Sequence, residues 1–274
     1  MEMIDSIKRA LDEDIGSGDV TTGNLLTGRE QGSARVFAKS ELVVAGIDIF
    51  RDVFLVHDGS LAFEALCADG DRLGPGRDLA RLSGSLKSIL EAERTALNLF
   101  QRMCGIATRT SRFVEAVKGT DVRVLDTRKT MPGLRVLDKY AVRVGGGLNH
   151  RFGLDRGVLI KENHSVAAGG IVEAIRRIKS GVPPAFTIEV ETRDLDEVRQ
   201  ALEGGADIIM LDNMDLDTMA EAVALIGGKA LVEASGNVTL ETVADVAATG
   251  VDFISVGALT HSVTAADVSL ILTP

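Results

Sequence analysis

The residues best suited to chemistry are concentrated in one basic segment, from Asp126 to Lys161. It contains eight lysines or arginines and three acidic residues, in a chain whose net charge is −10. Such a run is usually a solvated surface, but Arg128 and Lys161 end predicted interior strands and cannot both face bulk water. Guanidinium groups bind carboxylates and phosphates through paired hydrogen bonds, and lysine adds a point charge. The segment therefore predicts a pocket for a ligand with several negative charges.

A glycine-rich loop lies inside this segment. Gly145 to Gly147 are followed at once by Asn149, His150 and Arg151. Glycine lets a backbone approach a ligand closely, although flexible connections use it as well. The His-Arg pair favours a binding loop, and the sequence leaves open whether His150 is neutral or cationic.

Carboxylates end two predicted strands further along the chain. Glu189 and Glu191 lie two residues apart, so they face the same side of one strand, and Asp212 ends the next strand. Hard oxygen donors from neighbouring strands suit Mg²⁺, which usually binds together with a substrate's phosphates. An ion pair with a nearby lysine or arginine, or general acid–base catalysis, is the alternative.

Glycine-containing turns follow the last two predicted strands. In barrels such turns commonly hold a phosphate on backbone N–H groups, although ordinary turns also use serine and glycine. The residues concerned are Ser235, Gly236, Asn237, Val256, Gly257 and Ala258.

Six short β-branched runs recur after about residue 120, each followed by a stretch with helical apolar spacing. Strands alternating with helices predict right-handed βαβ units and a parallel sheet, either doubly wound or closed into a barrel. The predicted strands are Val122–Asp126, Gly157–Lys161, Phe186–Glu191, Ile208–Asp212, Leu231–Ser235 and Phe253–Gly257.

The polar residues at the strand ends favour the barrel. A barrel gathers all its strand ends into one mouth, whereas a doubly wound sheet brings together only those at the switch point. Six units fall short of the usual eight, so we expect an open, TIM-like α/β barrel with a gap that another domain or subunit fills. The residues at these ends are Arg128, Lys161, Glu191, Asp212, Ser235 and Gly257.

The first 118 residues read as a separate α+β domain, with strands near Ala34–Ala38, Glu41–Val44 and Leu61–Leu66 and a helix from about Leu86 to Gln101. We therefore predict two domains, residues 1–118 and 119–274. Arg94 interrupts the apolar stripe of the long helix. Its stem packs while its head reaches solvent, or it is presented across an interface.

Composition narrows the functional class. Aromatic residues are only 4% and the net charge is negative, which argues against nucleic-acid binding. No apolar run is long enough to span a bilayer, and Met1–Leu11 does not resemble a secretory signal. Two cysteines, Cys67 and Cys104, form no disulfide framework, and no two histidines have zinc spacing. We expect a cytoplasmic protein without membrane partners.

Taken together, these motifs resemble the quinolinate phosphoribosyltransferases, also called nicotinate-nucleotide pyrophosphorylases (carboxylating). The resemblance covers nearly the whole chain. It rests on Gly18-Asp-Val-Thr-Thr22, Glu93-Arg-Thr-Ala-Leu-Asn98, Asp126-Thr-Arg-Lys-Thr130, Lys139-Tyr-Ala-Val142, Asn149-His-Arg151, Glu189-Val-Glu191, Leu211-Asp-Asn213, Glu233-Ala-Ser-Gly-Asn237 and Ser255-Val-Gly-Ala-Leu-Thr-His261.

The resemblance implies an N-terminal α/β sandwich, a C-terminal open barrel, and a homodimer in which the partner's sandwich caps each barrel mouth. It also implies that the last residues pack back on the sandwich. Arg94 would reach the partner's substrate. Quinolinate would be bound by Arg94 from the partner, Thr127, Arg128, Lys129, His150, Arg151 and Lys161.

The second substrate implied by the resemblance is phosphoribosyl pyrophosphate with Mg²⁺. Glu191 and Asp212 would bind the metal. The whole set for this substrate would be Lys129, Glu191, Asp212, Ser235, Gly236, Asn237, Val256, Gly257 and Ala258. The product would be nicotinate mononucleotide, with loss of pyrophosphate and CO₂, in de novo NAD biosynthesis.

The sequence departs from the family at Arg156 and Glu162, where an acid and a shorter acid were expected. Both lie beside the implied ligand set. Three alternatives remain: a sister phosphoribosyltransferase with another acceptor, a Schiff-base aldolase using Lys161, and a binding protein without turnover.

Overall fold

The computed structural model describes residues 2–273, which form two compact units. Unit 1 comprises the residues up to Ser111, Thr130–Gly146 and the residues from Leu259 onward, and unit 2 comprises Arg112–Lys129 and Gly147–Ala258. This division differs from the predicted boundary after residue 118. Two later segments rejoin the first unit, which a single boundary in the sequence cannot express.

In the described part of the chain, nine elements precede the barrel strands. They are α1 (Glu2–Ile15), α2 (Val20–Leu25), β1 (Gln31–Ala38), β2 (Leu42–Val43), α3 (Ile47–His57), β3 (Ala62–Ala65), β4 (Arg72–Leu73), β5 (Asp78–Ser85) and α4 (Leu86–Ala116).

The remainder of the chain alternates strands and helices. The elements are β6 (Arg123–Leu125), α5 (Arg135–Val144), β7 (Val158–Ile160), α6 (Glu162–Ala168), α7 (Ile171–Gly181), β8 (Ile188–Thr192), α8 (Leu195–Gly204), β9 (Ile208–Asp212), α9 (Leu216–Ile226), β10 (Leu231–Ser235), α10 (Val243–Ala248), β11 (Phe253–Ser255), α11 (Ala258–His261) and β12 (Val268–Thr273).

Unit 1 is built on a four-stranded antiparallel sheet in the order β12, β1, β5, β3. The last strand of the chain therefore pairs with the first, as the resemblance implied for the final residues. The core beside it is aromatic: Phe50 lies edge to face with Phe54 at 5.3 Å and 4.9 Å from Phe100. These three phenylalanines are fully buried.

Unit 2 contains a six-stranded parallel sheet in the order β6, β11, β10, β9, β8, β7. Consecutive strands from β7 to β11 are neighbours, and β6 lies beside β11. This is the cyclic order of a barrel with one pairing, β6 to β7, left unmade. The open α/β barrel predicted from the sequence is confirmed, and all six predicted strands are present.

Helices α8 and α9 show how local sequence sets the barrel's outer layer. Asp194 and Asp215 cap their N-termini, accepting backbone hydrogen bonds from Glu197 and Thr218 at 2.8 Å. Gly205 and Gly227 end both helices in the left-handed conformation. Among residues 2–273, no helix combines the length and apolar character needed to cross a membrane.

Candidate active site

The carboxyl ends of the barrel strands gather the predicted ligands within unit 2. Thr127 and Arg128 follow β6 and are half-buried, while Lys129 is exposed. Buried Asp126 fixes the neighbouring loop, because it accepts hydrogen bonds from the Asn149 side chain at 2.6 Å and from the His150 backbone at 2.9 Å. The loop after the glycines therefore lies against the end of β6.

Arg151 adds a half-buried cation to this region. Its Nη1 donates to the Gly157 carbonyl at 3.0 Å. Burial, and then the positive charge of Arg128, lowers the pKa of Arg151, opposed by the charge of Glu189. Arg128 and Arg151 are thus close enough to repel each other, which is the condition for a pocket that attracts an anion.

Lys161 and Glu191 form an ion pair of 2.6 Å, the alternative to metal binding that the sequence left open. Glu191 and Asp212 end neighbouring strands, since Thr192 of β8 pairs with Leu211 of β9. Both carboxylates are half-buried. Two carboxylates in this setting fit Mg²⁺, whose remaining ligands are commonly water and substrate phosphates.

Two asparagines connect the ends of β9 and β10. Asn237 donates to Asn213 Oδ1, and Asn213 donates to Asp212 Oδ2, each at 2.9 Å. Asn213 and Asn237 adopt left-handed φ values of 55° and 51°. Gly236 has no alternative here, because a Cβ would lie 2.2 Å from Asn213 Oδ1. The chain of hydrogen bonds orients Asp212.

The predicted phosphate turns occupy adjacent positions. Ser235 of β10 pairs with Ser255 of β11, and the Val256 backbone donates to the Leu125 carbonyl at 2.9 Å. Gly257 and Ala258 follow at once and are half-buried. The helices after β10 and β11 have only six and four residues. Backbone N–H groups and serine hydroxyls, rather than a long helix dipole, are therefore the donors available to a phosphate.

Glu233 was missed as a site residue, and it lies in a buried cluster with the predicted candidates His150 and Glu189. His150 Nε2 lies 2.9 Å from Glu189 Oε2 and 3.9 Å from Glu233 Oε2. Burial, then the charge of Glu189, raises the pKa of Glu233 to about 7, opposed mainly by His150. Glu233 lies two residues before Ser235 and faces the same side of β10. An acidic residue inside an apolar strand, two residues before a predicted ligand, was the signal in the sequence that could have identified Glu233.

Several predicted cations lie in unit 1 rather than in the barrel. Three belong to the basic segment, namely Arg135, Lys139 and Arg143, and the fourth is Arg94, outside that segment. Arg94 is exposed on α4, and the Arg143 guanidinium lies over the Tyr140 ring at 5.7 Å. The charge excess of the basic segment is thus divided between the two units.

Gly145 serves packing rather than ligand approach. A Cβ there would lie 2.5 Å from the Ala107 carbonyl oxygen and 2.7 Å from Thr110, so glycine lets the end of α5 contact α4.

The two departures from the family pattern are surface features. Arg156 pairs with Asp155 at 3.2 Å, and Glu162 pairs with Arg193.

Family models match nearly the whole chain. The model "Quinolinate phosphoribosyl transferase, N-terminal domain" matches residues 19–104, and "Quinolinate phosphoribosyl transferase, C-terminal domain" matches residues 106–271. A probable nicotinate-nucleotide pyrophosphorylase [carboxylating] of Synechocystis is 46% identical over 91% of this chain and 85% of its own. The Bacillus subtilis protein of the same name is 42% identical over 95% and 90%.

Solved structures agree. NadC from Streptococcus pyogenes has 40% identity and a TM-score of 0.94, covering 98% of this chain and 95% of its own. The nicotinate-nucleotide pyrophosphorylase from Francisella tularensis has 38% identity and a TM-score of 0.93, covering 99% and 96%. Fold and sequence therefore point to the same group of proteins.

Proposed function

The chain belongs to the quinolinate phosphoribosyltransferase family, and we propose that it transfers the phosphoribosyl group of phosphoribosyl pyrophosphate to the ring nitrogen of quinolinate. Loss of CO₂ then gives nicotinate mononucleotide for NAD biosynthesis. The observation that carries this proposal is the pair of family models that together span residues 19–104 and 106–271. The cations at the carboxyl end of the barrel supply the chemical reason.

The quinolinate dianion matches the cations near the ends of β6 and β7. Arg128 and Arg151 offer paired donors to carboxylates, and Lys129 and Lys161 offer point charges. Thr127 and the His150 loop complete this wall of the pocket. The two arginines repel each other, so a dicarboxylate binding between them would relieve that repulsion.

Phosphoribosyl pyrophosphate would bind beside this wall. Glu191 and Asp212 would hold Mg²⁺, which supplies charge neutralisation on the pyrophosphate when bound. Lys129 would bind the pyrophosphate as well. The 5-phosphate would bind at the turns after β10 and β11, formed by Ser235, Gly236, Asn237, Val256, Gly257 and Ala258.

The reaction needs no protein nucleophile. The bond from the ribose anomeric carbon to pyrophosphate breaks while the pyridine nitrogen forms a bond to the same carbon, and basic side chains stabilise the departing pyrophosphate. The quaternised ring then accepts the electrons of its 2-carboxylate, CO₂ leaves, and the ring carbon takes up a proton. Orientation of that carboxylate and exclusion of water are the tasks left to the protein.

We propose that the enzyme works as a homodimer with shared sites. Arg94 is exposed on α4, and this exposure supports a role in which it would bind the partner's substrate. Mixing inactive Arg94→Ala chains with inactive Lys129→Ala chains should restore about a quarter of the activity, because random hybrid dimers carry one intact site. Verified subunit exchange without any recovery would refute the shared site.

The predicted cytoplasmic location stays a prediction.

The test of the reaction is an assay with quinolinate, phosphoribosyl pyrophosphate and Mg²⁺ that follows nicotinate mononucleotide and CO₂ together. Equal amounts of both products are expected. Omission of Mg²⁺, with a chelator present, should abolish both. A folded, metal-supplied protein that forms neither product would favour a sister enzyme with a different acceptor.

A further inference from the structure

Asn213 and Asn237 differ from the rest of the described chain in their backbone conformation. Their φ values are 55° and 51°, and among residues 2–273 every other positive φ belongs to a glycine. A left-handed φ is unfavourable for residues with a Cβ, although asparagine tolerates it best, and such conformations are concentrated at functional sites. Both side chains are exposed, so burial in the core does not offset the strain.

Asn213 contacts every residue of the turn Ser235–Asn237. Its backbone N–H donates to the Ser235 carbonyl at 2.9 Å, and its Oδ1 accepts from Asn237 Nδ2 at 2.9 Å. Gly236 lies directly against the same side chain, because a Cβ on Gly236 would be 2.5 Å from Asn213 Cγ. One residue at the end of β9 therefore contacts all three residues of a turn that follows β10.

The orientation of the Asn213 amide is fixed by its partners. Asp212 Oδ2 accepts a hydrogen bond at 2.9 Å, so the donor Nδ2 must face Asp212 and the acceptor Oδ1 must face Asn237. Asn237 then has to present its own Nδ2. Asn213 thus uses both ends of its amide, one toward the strand end and one toward the turn.

The turn needs such a contact because its own sequence does not fix its shape. Gly236 has a φ of 100°, and glycine is free to adopt many other conformations. The next helix, α10, begins only at Val243, so no helix starts within the turn to order it. The backbone N–H groups of a flexible turn converge on a phosphate only if the turn is held in one conformation.

We infer that Asn213 is a positioning residue that holds the turn Ser235–Asn237 in the conformation that binds the 5-phosphate of phosphoribosyl pyrophosphate. The part that concerns the phosphate rests on the proposed function. The part in which Asn213 holds the turn does not.

The first test needs no ligand. Asn213→Gly keeps the left-handed φ and removes the side chain, and hydrogen exchange read by mass spectrometry compares it with the wild type. The peptide that covers residues 235–237 should exchange about fivefold faster in the variant, as expected for the loss of one hydrogen bond. Unchanged exchange in that peptide would overturn the inference.

Asn24→Gly is the matched control. Asn24 is also exposed and also loses a side-chain hydrogen bond, which it donates to the Val20 carbonyl at 2.7 Å in unit 1. Exchange at residues 235–237 should be the same in this variant as in the wild type.

The second test measures binding without metal or turnover. Nicotinate mononucleotide, the proposed product, carries the 5-phosphate but no pyrophosphate, so its titration calorimetry without Mg²⁺ reports on the turn. Asn213→Gly should raise its Kd about fivefold. The Kd of quinolinate should stay within about twofold, because the proposed acceptor cations follow β6 and β7. An unchanged Kd for nicotinate mononucleotide, or equal weakening of both ligands, would overturn the inference.

A double variant tests whether the two asparagines act together. Asn237→Gly removes the same side-chain hydrogen bond from the other partner, and glycine again tolerates the left-handed φ. The double variant should bind nicotinate mononucleotide within about twofold of the weaker single variant, because one interaction cannot be lost twice. A Kd raised by the product of the two single effects would contradict the inference.

The outcomes separate the two proposals. If Asn213→Gly does not fold, Asn237→Gly carries the exchange and binding tests with the same expected results. A wild-type protein that forms no nicotinate mononucleotide would remove the proposed function, and hydrogen exchange would still decide whether Asn213 holds the turn. An active wild type with unchanged exchange in both variants would overturn the inference and leave the reaction established.

Discussion

Buried charge is treated differently in the two units. In unit 1, fully buried Asp138 accepts two hydrogen bonds of 2.8 Å from Arg102 and a third from the Met131 backbone. Arg102 also donates to the Thr260 carbonyl at 3.0 Å. In unit 2, the Glu189 and Glu233 carboxylates surround one imidazole and leave two oxygens without a hydrogen bond from any described residue. The buried carboxylate of unit 1 therefore has all its hydrogen-bond partners within the protein, whereas the carboxylates of unit 2 do not.

A second cluster in unit 1 repeats the complete pattern. Asp69 accepts hydrogen bonds from the Gly46 and Ile47 backbones at the start of α3 and from the Tyr140 hydroxyl at 2.6 Å. Burial first, and then Asp69, raises the pKa of Tyr140 to about 12, so the phenol stays neutral. Unsatisfied polar groups and opposed pKa shifts are typical of functional sites. The contrast separates residues that hold the fold from residues that serve chemistry.

The largest effect on stability should come from the ion pair between Asp138 and Arg102 in unit 1. Asp138→Ala removes a fully buried carboxylate, leaves half-buried Arg102 without its ion-pair partner and should lower the free energy of unfolding by about 3 kcal/mol. Urea denaturation measures the loss. Asp155→Ala, which removes an exposed partner of Arg156, is the matched control and should change little. A loss below about 1 kcal/mol for Asp138→Ala would show that the buried ion pair in unit 1 does not stabilise the fold, against the comparison of the two units.

On the chemical side, Lys129→Ala should reduce kcat/KM by about 10²–10³-fold without lowering the melting temperature. Lys129 is exposed, so its removal should leave the core intact, and it would take positive charge from the pyrophosphate that Lys129 is proposed to bind. Steady-state kinetics with both substrates checks the prediction. Lys118→Ala, at an exposed pair with Glu115, should retain full activity. Unchanged kinetics in Lys129→Ala would place the substrate elsewhere.

Glu233→Gln should stabilise the protein at alkaline pH. Because the folded-state pKa of Glu233 is raised from 4.5 to about 7, the stabilising contribution of its protonated form is fully present below pH 4.5 and is lost as pH rises through 7. The variant escapes this loss, so its advantage should grow from near zero at pH 4.5 to on the order of 2–3 kcal/mol at pH 8. Denaturation at both pH values measures it. A constant difference would show that Glu233 does not change its protonation in this range.

The smallest expected change in unfolding free energy distinguishes the backbone strain at Asn213 from the loss of its side-chain hydrogen bonds. Asn213→Ala loses two hydrogen bonds and forces alanine into a left-handed φ, whereas Asn213→Gly loses only the hydrogen bonds. Alanine should therefore cost about 1 kcal/mol more than glycine in unfolding free energy. Both variants should lose activity, since Asp212 is no longer oriented. Equal stability would mean that the φ angle is not strained.

The barrel could be predicted in detail from the sequence. Its strands are short apolar runs such as Ile208–Asp212 and Leu231–Ser235, whose observed bounds match the predicted ones. Unit 1 was harder, because β5 (Asp78–Ser85) contains two arginine or aspartate positions and a glycine, and its strand character comes from pairing with β1 and β3. α3 and β4 were missed as well. Pairing across the chain, not local pattern, defines these elements.

What the sequence determined by itself was the type and order of the reactive residues: cations after β6 and β7, carboxylates on β8 and β9, and small residues after β10 and β11. Only the tertiary structure decided how they are used. The fold of unit 2 brings Glu189 and Glu233, 44 positions apart in the sequence, onto one imidazole. The same unit joins Lys161 to Glu191, while packing within unit 1 places Gly145 against α4. Protonation and pairing depend on distances of a few ångströms between distant segments, and a local pattern carries no record of such distances.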